Sequence, residues 1–251
     1  MRRFFILLLS FSALLLTFCL SVGLVKDVPI AQALPEDEAR PFPEGGMEMA
    51  KDFFAAQQLS PSLSAWLYIP NVCYMPVMYL DNSYYLDHNY RGEWDKYGTP
   101  FINTRFPNDF SAGALLIHGH NFVGSNRVFS DLLRYKSPDF FEENPLIQIF
   151  DGKTLRYYKP YTVFALDEST EALEPPAADA DTAQTESAVR ALHARSLVRA
   201  AEPKWDASML YFSTCDLTLS KKLDEPRLIL GAYETERYTY RFSLGTQGVI
   251  P

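Results

Sequence analysis

Cysteine is scarce: three in 251 residues, at Cys19, Cys73 and Cys215. Spacing this wide excludes a disulfide-dense scaffold and a Cys-x-x-Cys zinc site. Positive charge is also short, with 23 Lys and Arg against 31 Asp and Glu and a net charge of −8. A nucleic-acid-binding domain usually carries a basic excess, so that class is disfavoured. No internal repeat is visible, which argues against a solenoid. Apolar residues are plentiful, 47% hydrophobic and 14% aromatic, enough for a core and too many for a disordered chain. The length suits one domain with something appended.

The appended part is at the N-terminus. Arg2 and Arg3 precede an uncharged apolar run over residues 4–25, with only Lys26 just beyond it before Asp27. A run of about 20 apolar residues is long enough to span a bilayer, and the basic flank marks the cytoplasmic side. The expectation is a cytoplasmic tip and signal-anchor over residues 1–25, hence a single-pass cell-membrane protein with its catalytic domain outside. A cleaved signal peptide is the rival, with a small-x-small site at Ala31-Gln32-Ala33; its apolar region is ordinarily shorter. Cys19 reads as one more apolar residue, because Phe18 stands where a lipoprotein signal wants a small one. Residues 26–45 contain Pro29, Pro35, Pro41 and Pro43 and read as a linker. The domain proper is expected over 46–251.

Within it, a short helix is expected over residues 47–58, with Ala50, Phe53 and Phe54 on one face. Residues 66–167 switch to short runs rich in Tyr, Phe, Val and Ile, punctuated by turn signals such as Asp151-Gly152, the pattern of an all-β sheet or barrel. The acidic, Pro/Ala-rich stretch 167–180 reads as a solvated loop. Asp181 with Gln184 three residues on fits a helix start, and Val189, Leu192, Ser196 and Leu197 give a stripe for packing on the barrel. Strands over Met209 to Cys215 and from Arg227 to Tyr233 end the pattern.

Chemistry gathers at strand ends. If residues 114–121 are extended, Ala114, Leu116, His118 and His120 share a face. Cys215 ends an apolar and aromatic strand, and Arg227 opens the next. A thiolate nucleophile, a proton-shuttling imidazole and a guanidinium facing a developing oxyanion together suit acyl transfer. Taken singly, each residue has a plainer reading: a buried small side chain, a structural histidine, a solvated arginine. Metal binding by His118, His120 and Cys215 is the second chemical reading; no carboxylate at a matching spacing accompanies it.

The order of further segments resembles a known family. Trp66-Leu67-Tyr68-Ile69-Pro70, Tyr74-Met75-Pro76-Val77, Asp81-Asn82-Ser83-Tyr84-Tyr85-Leu86, Gly98-Thr99-Pro100-Phe101 with Arg105, Gly119-His120-Asn121, Ser213-Thr214-Cys215 and Arg227-Leu228-Ile229-Leu230 follow one another as in class B sortases. The resemblance runs through most of residues 46–240. It implies a mainly β fold, a closed eight-stranded sortase-type β-barrel with an N-terminal helix and a long helix before the catalytic strand. It also implies Cys215 as nucleophile, His120 as general acid/base and Arg227 as oxyanion and substrate anchor, with His118 a bystander. Asn82, Leu86, Ser213 and Thr214 fall where the family lines its substrate groove.

The function so implied is a cysteine transpeptidase on a Gram-positive cell. It would cleave an NPxT-like sorting signal, hold the protein as a thioester at Cys215, and pass it to a cell-wall peptide amine or a pilin lysine. No cofactor is required. Three departures stand out: Tyr211-Phe212 before Ser213, where the site's floor could be reshaped; Asn126-Arg127 after the histidine; and the acidic 167–181 stretch, where the family builds a groove wall. An L,D-transpeptidase is disfavoured because Ser213-Thr214 precede the cysteine and Leu217 lies two residues after it. A catalytically dead binding module is disfavoured by the intact Cys215, His120 and Arg227.

Overall fold

The computed structural model describes residues 32–35, 45–110, 113–176, 181–198, 200–204 and 206–243. Among them are nine strands: β1 (Gln32–Pro35), β2 (Leu63–Ile69), β3 (Cys73–Met78), β4 (Phe101–Ile102), β5 (Ala114–His118), β6 (Ile147–Phe150), β7 (Thr154–Asp167), β8 (Met209–Cys215) and β9 (Pro226–Ser243). The α-helices are α1 (Gly46–Gln57), α2 (Pro138–Glu143) and α3 (Thr182–His193).

The strands run β9-β7-β6-β2-β3-β4-β5-β8, and β8 pairs back onto β9. Eight strands therefore close into a barrel, as expected, and closure leaves those strands no unpaired edge. Two pairings are parallel, β3–β4 and β5–β8. The long β7–β9 ladder runs from Thr154↔Thr239 to Asp167↔Pro226, with register shifts between Tyr157 and Tyr158 and between Pro160 and Thr162. Pro160 cannot donate to a ladder, and it sits at one of these irregularities, where a proline is tolerated inside a sheet.

Alternation along the strands separates two cores. On β8, Leu210 and Phe212 join the barrel interior with Leu115, Ile117, Leu228 and Leu230. Met209 and Tyr211 point the other way, into a second cluster with Ala114, Leu116, Phe164, Val189 and Leu192 beneath α3. Helix α3 starts at a capping box: Gln184 N donates to Asp181 Oδ1 at 2.8 Å, and Asp181 N to Gln184 Oε1 at 3.0 Å. Helix α1 buries Met49, Ala50, Phe53 and Ala56 at helical spacing, and Phe53 meets Phe150 edge-on at 5.4 Å.

Several expectations change here. No helix among the described residues is long and apolar enough to cross a membrane, so the single-pass membrane location is withdrawn. The apolar run and Cys19 lie outside the described residues. Part of the expected linker is strand β1, which pairs with the end of β9 from Gln32↔Ser243 to Pro35↔Tyr240. Leu197, expected on the packing stripe, lies beyond the end of α3 and is 53% exposed.

The acidic stretch is not a freely solvated loop over its described part. Asp167 Oδ1 accepts from Glu225 N at 3.2 Å and Oδ2 from Asp224 N at 3.1 Å. Glu171 pairs with Arg195 at 2.7 Å, and Leu173 is buried in the cluster under α3. Carboxylates that look solvated in sequence are here the stitches that hold the segment to the barrel.

Candidate active site

Strand register assembles the site. Parallel pairing sets His118 of β5 beside Ser213 of β8, and antiparallel pairing sets Cys215 of β8 directly opposite Arg227 of β9. All four lie on the α3 side of the barrel wall, in phase with Leu116, Tyr211 and Ile229. Arg227 Nη1 donates to Cys215 Sγ at 2.6 Å, and its Nε donates to Glu168 Oε2 at 2.5 Å.

The turn carrying His120 is tied to the cysteine strand at three levels. Gly119 N donates to Ser213 O at 3.1 Å, Thr214 Oγ1 to Gly119 O at 2.7 Å, and Asn121 Nδ2 to Cys215 O at 2.8 Å. Glycine is required before the histidine: a Cβ at Gly119 would run into the Phe129 ring, with Phe129 Cε2 only 2.8 Å away. His120 Nε2 lies 2.8 Å from Leu86 O, and the ring meets Phe122 edge-on at 5.3 Å. The carbonyl can only accept, so Nε2 carries a proton in that bond.

These groups open on a cavity of ≈ 520 Å³, within the ~300–1,000 Å³ usual for ligand sites. Asn82, Leu86, His118, His120, Cys215 and Arg227 all line it, as does Ser213. One wall is a hydrogen-bonded ladder. Asn82 Oδ1 accepts from Thr104 N at 2.8 Å, Asn82 Nδ2 reaches Asn103 Oδ1 at 3.5 Å, and Asn103 Nδ2 lies 2.9 Å from His118 Nε2. Arg105 N also donates to Asn103 Oδ1, at 2.9 Å, which fixes the amide's orientation.

Electrostatics separates the ionisable groups. Burial pulls the His118 pKa down to about 4; Glu168 opposes this and Arg227 adds to it. His118 is therefore neutral near pH 7, its Nε2 accepting from Asn103. Burial disfavours the Arg227 charge, but Cys215 and Glu168 beside it outweigh that and raise its pKa above the ordinary arginine value. Cys73 is far from this chemistry in character: it is a free thiol whose pKa burial pushes up to about 12.

The sequence-derived set thus comes together with one exception. Thr214 does not line the cavity; it is 1% exposed, because strand alternation turns it away from the Cys215 face, and its hydroxyl is spent on Gly119 O. The Tyr211-Phe212 departure leaves the site floor alone. The Tyr211 hydroxyl meets that of Tyr161 at 2.8 Å in the second cluster, and Phe212 packs on Phe129 in the barrel. Arg127 stacks over the Tyr97 ring at 4.7 Å. His118, read as a bystander, is in the cavity wall, and Asn103 and Glu168 were not anticipated. Glu168 follows the strand whose Leu166 pairs with Arg227, and that register alone brings it to the site.

The chain adopts the same architecture as solved sortase B structures. It superposes on sortase B of Clostridium perfringens with a TM-score of 0.62 and 19% identity, covering 73% of this chain and 99% of that one. The fold is that of sortase B. A Staphylococcus aureus sortase B–substrate complex gives a TM-score of 0.65 at 15% identity, covering 75% of this chain and 86% of that one. Listeria monocytogenes sortase B gives 0.58 at 24%, covering 70% of this chain and 97% of that one. In sequence, the chain is related to the curated sortase B of Listeria monocytogenes serovar 1/2a, 32% identical over 116 residues. That match spans 45% of this chain and 46% of the relative, less than half of each. No family model matches the chain.

Proposed function

We propose that the protein is a sortase-type cysteine transpeptidase, and the observation that carries the reading is the 2.6 Å approach of Arg227 Nη1 to Cys215 Sγ in a cavity that also holds His120. The Cys215 thiolate attacks the carbonyl carbon of a Thr in an NPxT-like sorting signal, forming a C–S bond. The oxyanion that develops is met by the Arg227 guanidinium, whose donors are already fixed. The C–N bond then breaks as His120, in its imidazolium form, gives a proton to the leaving amine and becomes neutral. The resulting thioester is attacked by an incoming amine, a cell-wall peptide amine or a pilin lysine. Its surplus proton goes to His120 and the C–S bond breaks, restoring the thiolate. Asn82, Leu86 and Ser213 line the groove for the signal. Support for the substrate and acceptor classes comes from the shared fold of a sortase B–substrate complex and a sortase B complexed with triglycine. The setting would be a Gram-positive cell.

The test is a peptide bearing an NPxT-like signal, incubated with the protein with and without triglycine and read by mass spectrometry. A thioester adduct on Cys215 and an amine-dependent product are expected, and both should vanish in Cys215→Ala while the fold persists. Full turnover by Cys215→Ala would overturn the mechanism.

A further inference from the structure

Glu168 is the one carboxylate among the described residues lining the cavity, and neither the nucleophile nor the proton carrier touches it. Its partner is Arg227 Nε, at 2.5 Å, while Arg227 Nη1 reaches Cys215 Sγ at 2.6 Å. A guanidinium is planar and rigid, so two donors held on different neighbours fix its plane as well as its position. We propose that Glu168 is a positioning residue, which sets the Arg227 fork edge-on to the Cys215 sulfur and leaves its remaining N–H groups for the substrate. The proposal deepens the transpeptidase reading and rests on it for its kinetic consequence.

The backbone around Glu168 is built to hold that carboxylate in place. Glu168 N donates to Glu225 O at 3.0 Å. The neighbouring Asp167 carboxylate takes the backbone N–H groups of Asp224 and Glu225, two residues of the chain that leads into Arg227. The end of β7 and the start of β9 therefore travel together, and the carboxylate and the guanidinium keep a constant spacing. Further along, Arg195 clamps Glu171 and buried Leu173 anchors the segment. An ordinary surface ion pair between side chains 39% and 29% exposed would contribute little to stability. What sets this pair apart is the second contact of the same guanidinium, on the thiol.

The experiment compares Glu168→Ala and Glu168→Gln, each alone and with Arg227→Lys, with Glu171→Gln as a control on the same segment. Gln keeps an acceptor oxygen at the same reach, so a positioning role predicts partial rescue. Glu168→Ala is expected to lower kcat by between about tenfold and a hundredfold, the scale of a misplaced reacting group, with KM and melting temperature little changed. Glu168→Gln should lose less, and Glu171→Gln should match wild type. Lysine has no fork to orient, so Glu168→Ala should add nothing to Arg227→Lys. The same variants are also read by alkylation of Cys215 with iodoacetamide at neutral pH, which needs no substrate. Glu168→Ala should slow alkylation, and only when Arg227 is present. Unchanged kcat, additive losses in the double variant, or faster alkylation, the mark of a carboxylate acting on the thiolate through charge alone, would each overturn the proposal. If the wild type transfers no peptide, the transpeptidase reading falls, while the alkylation cycle still decides the role of Glu168.

Discussion

Cys215 and Arg227 are register partners across the antiparallel β8–β9 pair, and the guanidinium donates directly to the thiol sulfur at 2.6 Å. Twelve residues apart in sequence, they are fixed by the hydrogen-bond ladder of two barrel strands. The pair therefore inherits the rigidity of the barrel and does not depend on a loop to meet.

This geometry separates charge from shape at Arg227. Lysine keeps the charge but offers a compact head that cannot serve Glu168 and Cys215 with two directed donors. Loss of an oxyanion donor typically costs about 10²–10³ in rate. Arg227→Lys should therefore fold normally and lose on the order of that factor in kcat/KM, measured with a sorting-signal peptide. Wild-type turnover with an unchanged melting temperature would remove Arg227 from the chemistry.

His118 makes stability depend on pH. Its pKa is about 4 in the folded protein against about 6.5 when unfolded. Between those values the unfolded chain binds the proton and the folded one does not, so acid favours unfolding. The contribution is fully present above about pH 6.5 and lost as pH falls to 4, about 3 kcal/mol in total. Denaturant titrations across that window should show the slope, and His118→Asn should flatten it. An identical pH dependence in the variant would assign the slope to other groups.

An all-β sheet or barrel, with candidate chemistry at Cys215, His120 and Arg227, was readable from turn residues, alternation and strand-end positions, whereas closure into eight strands and the roles of those three residues came from the resemblance to class B sortases. Asn103 and Glu168 were not readable, because their roles depend on pairing across the chain. Nothing near Glu168 in sequence distinguishes it from Glu171 or Glu174; only the β7–β9 register puts it beside Arg227. Thr214 misled for a related reason. Neighbours on a strand face opposite ways, so adjacency to Cys215 in the motif is what turns it away from the cavity. The acidic stretch read as solvated because composition shows charges and not their partners, Arg227 and Arg195.

Gly119 links the fold to the position of His120. A methyl group there would press on the buried Phe129 ring, and Phe129 in turn packs on Phe212 at 5.8 Å. Overpacking of this kind costs about 1–3 kcal/mol. Gly119→Ala should lower stability by that amount in a urea titration and reduce kcat, because relief of the clash moves the turn carrying His120. Phe129→Leu in the same chain should restore part of both. A Gly119→Ala protein with unchanged stability would show that the ring yields freely.

The final expectation concerns the residue after the nucleophile. Asp216 is fully buried, with its carboxylate bonded to Lys136 Nζ at 2.8 Å, Thr218 Oγ1 at 2.5 Å and Thr218 N at 3.2 Å. Lys136 is 28% exposed at its side chain, so the pair is shielded on one side only. Lys136→Met keeps the apolar stem and removes the ammonium. The buried carboxylate then keeps its Thr218 bonds but loses its counter-charge, which should cost about 1–3 kcal/mol, short of the larger penalty for a wholly buried ion pair. Adding Asp216→Asn removes the stranded charge and should recover part of the loss, a non-additivity that a double-mutant cycle reads directly. The exposed Lys51–Glu48 pair, at 4.0 Å, supplies the contrast: Lys51→Met should stay within about 0.5 kcal/mol of wild type. Equal effects of Lys136→Met and Lys51→Met in thermal melts would mean that the Lys136–Asp216 pair behaves as a solvated one and contributes nothing to holding the end of the cysteine strand.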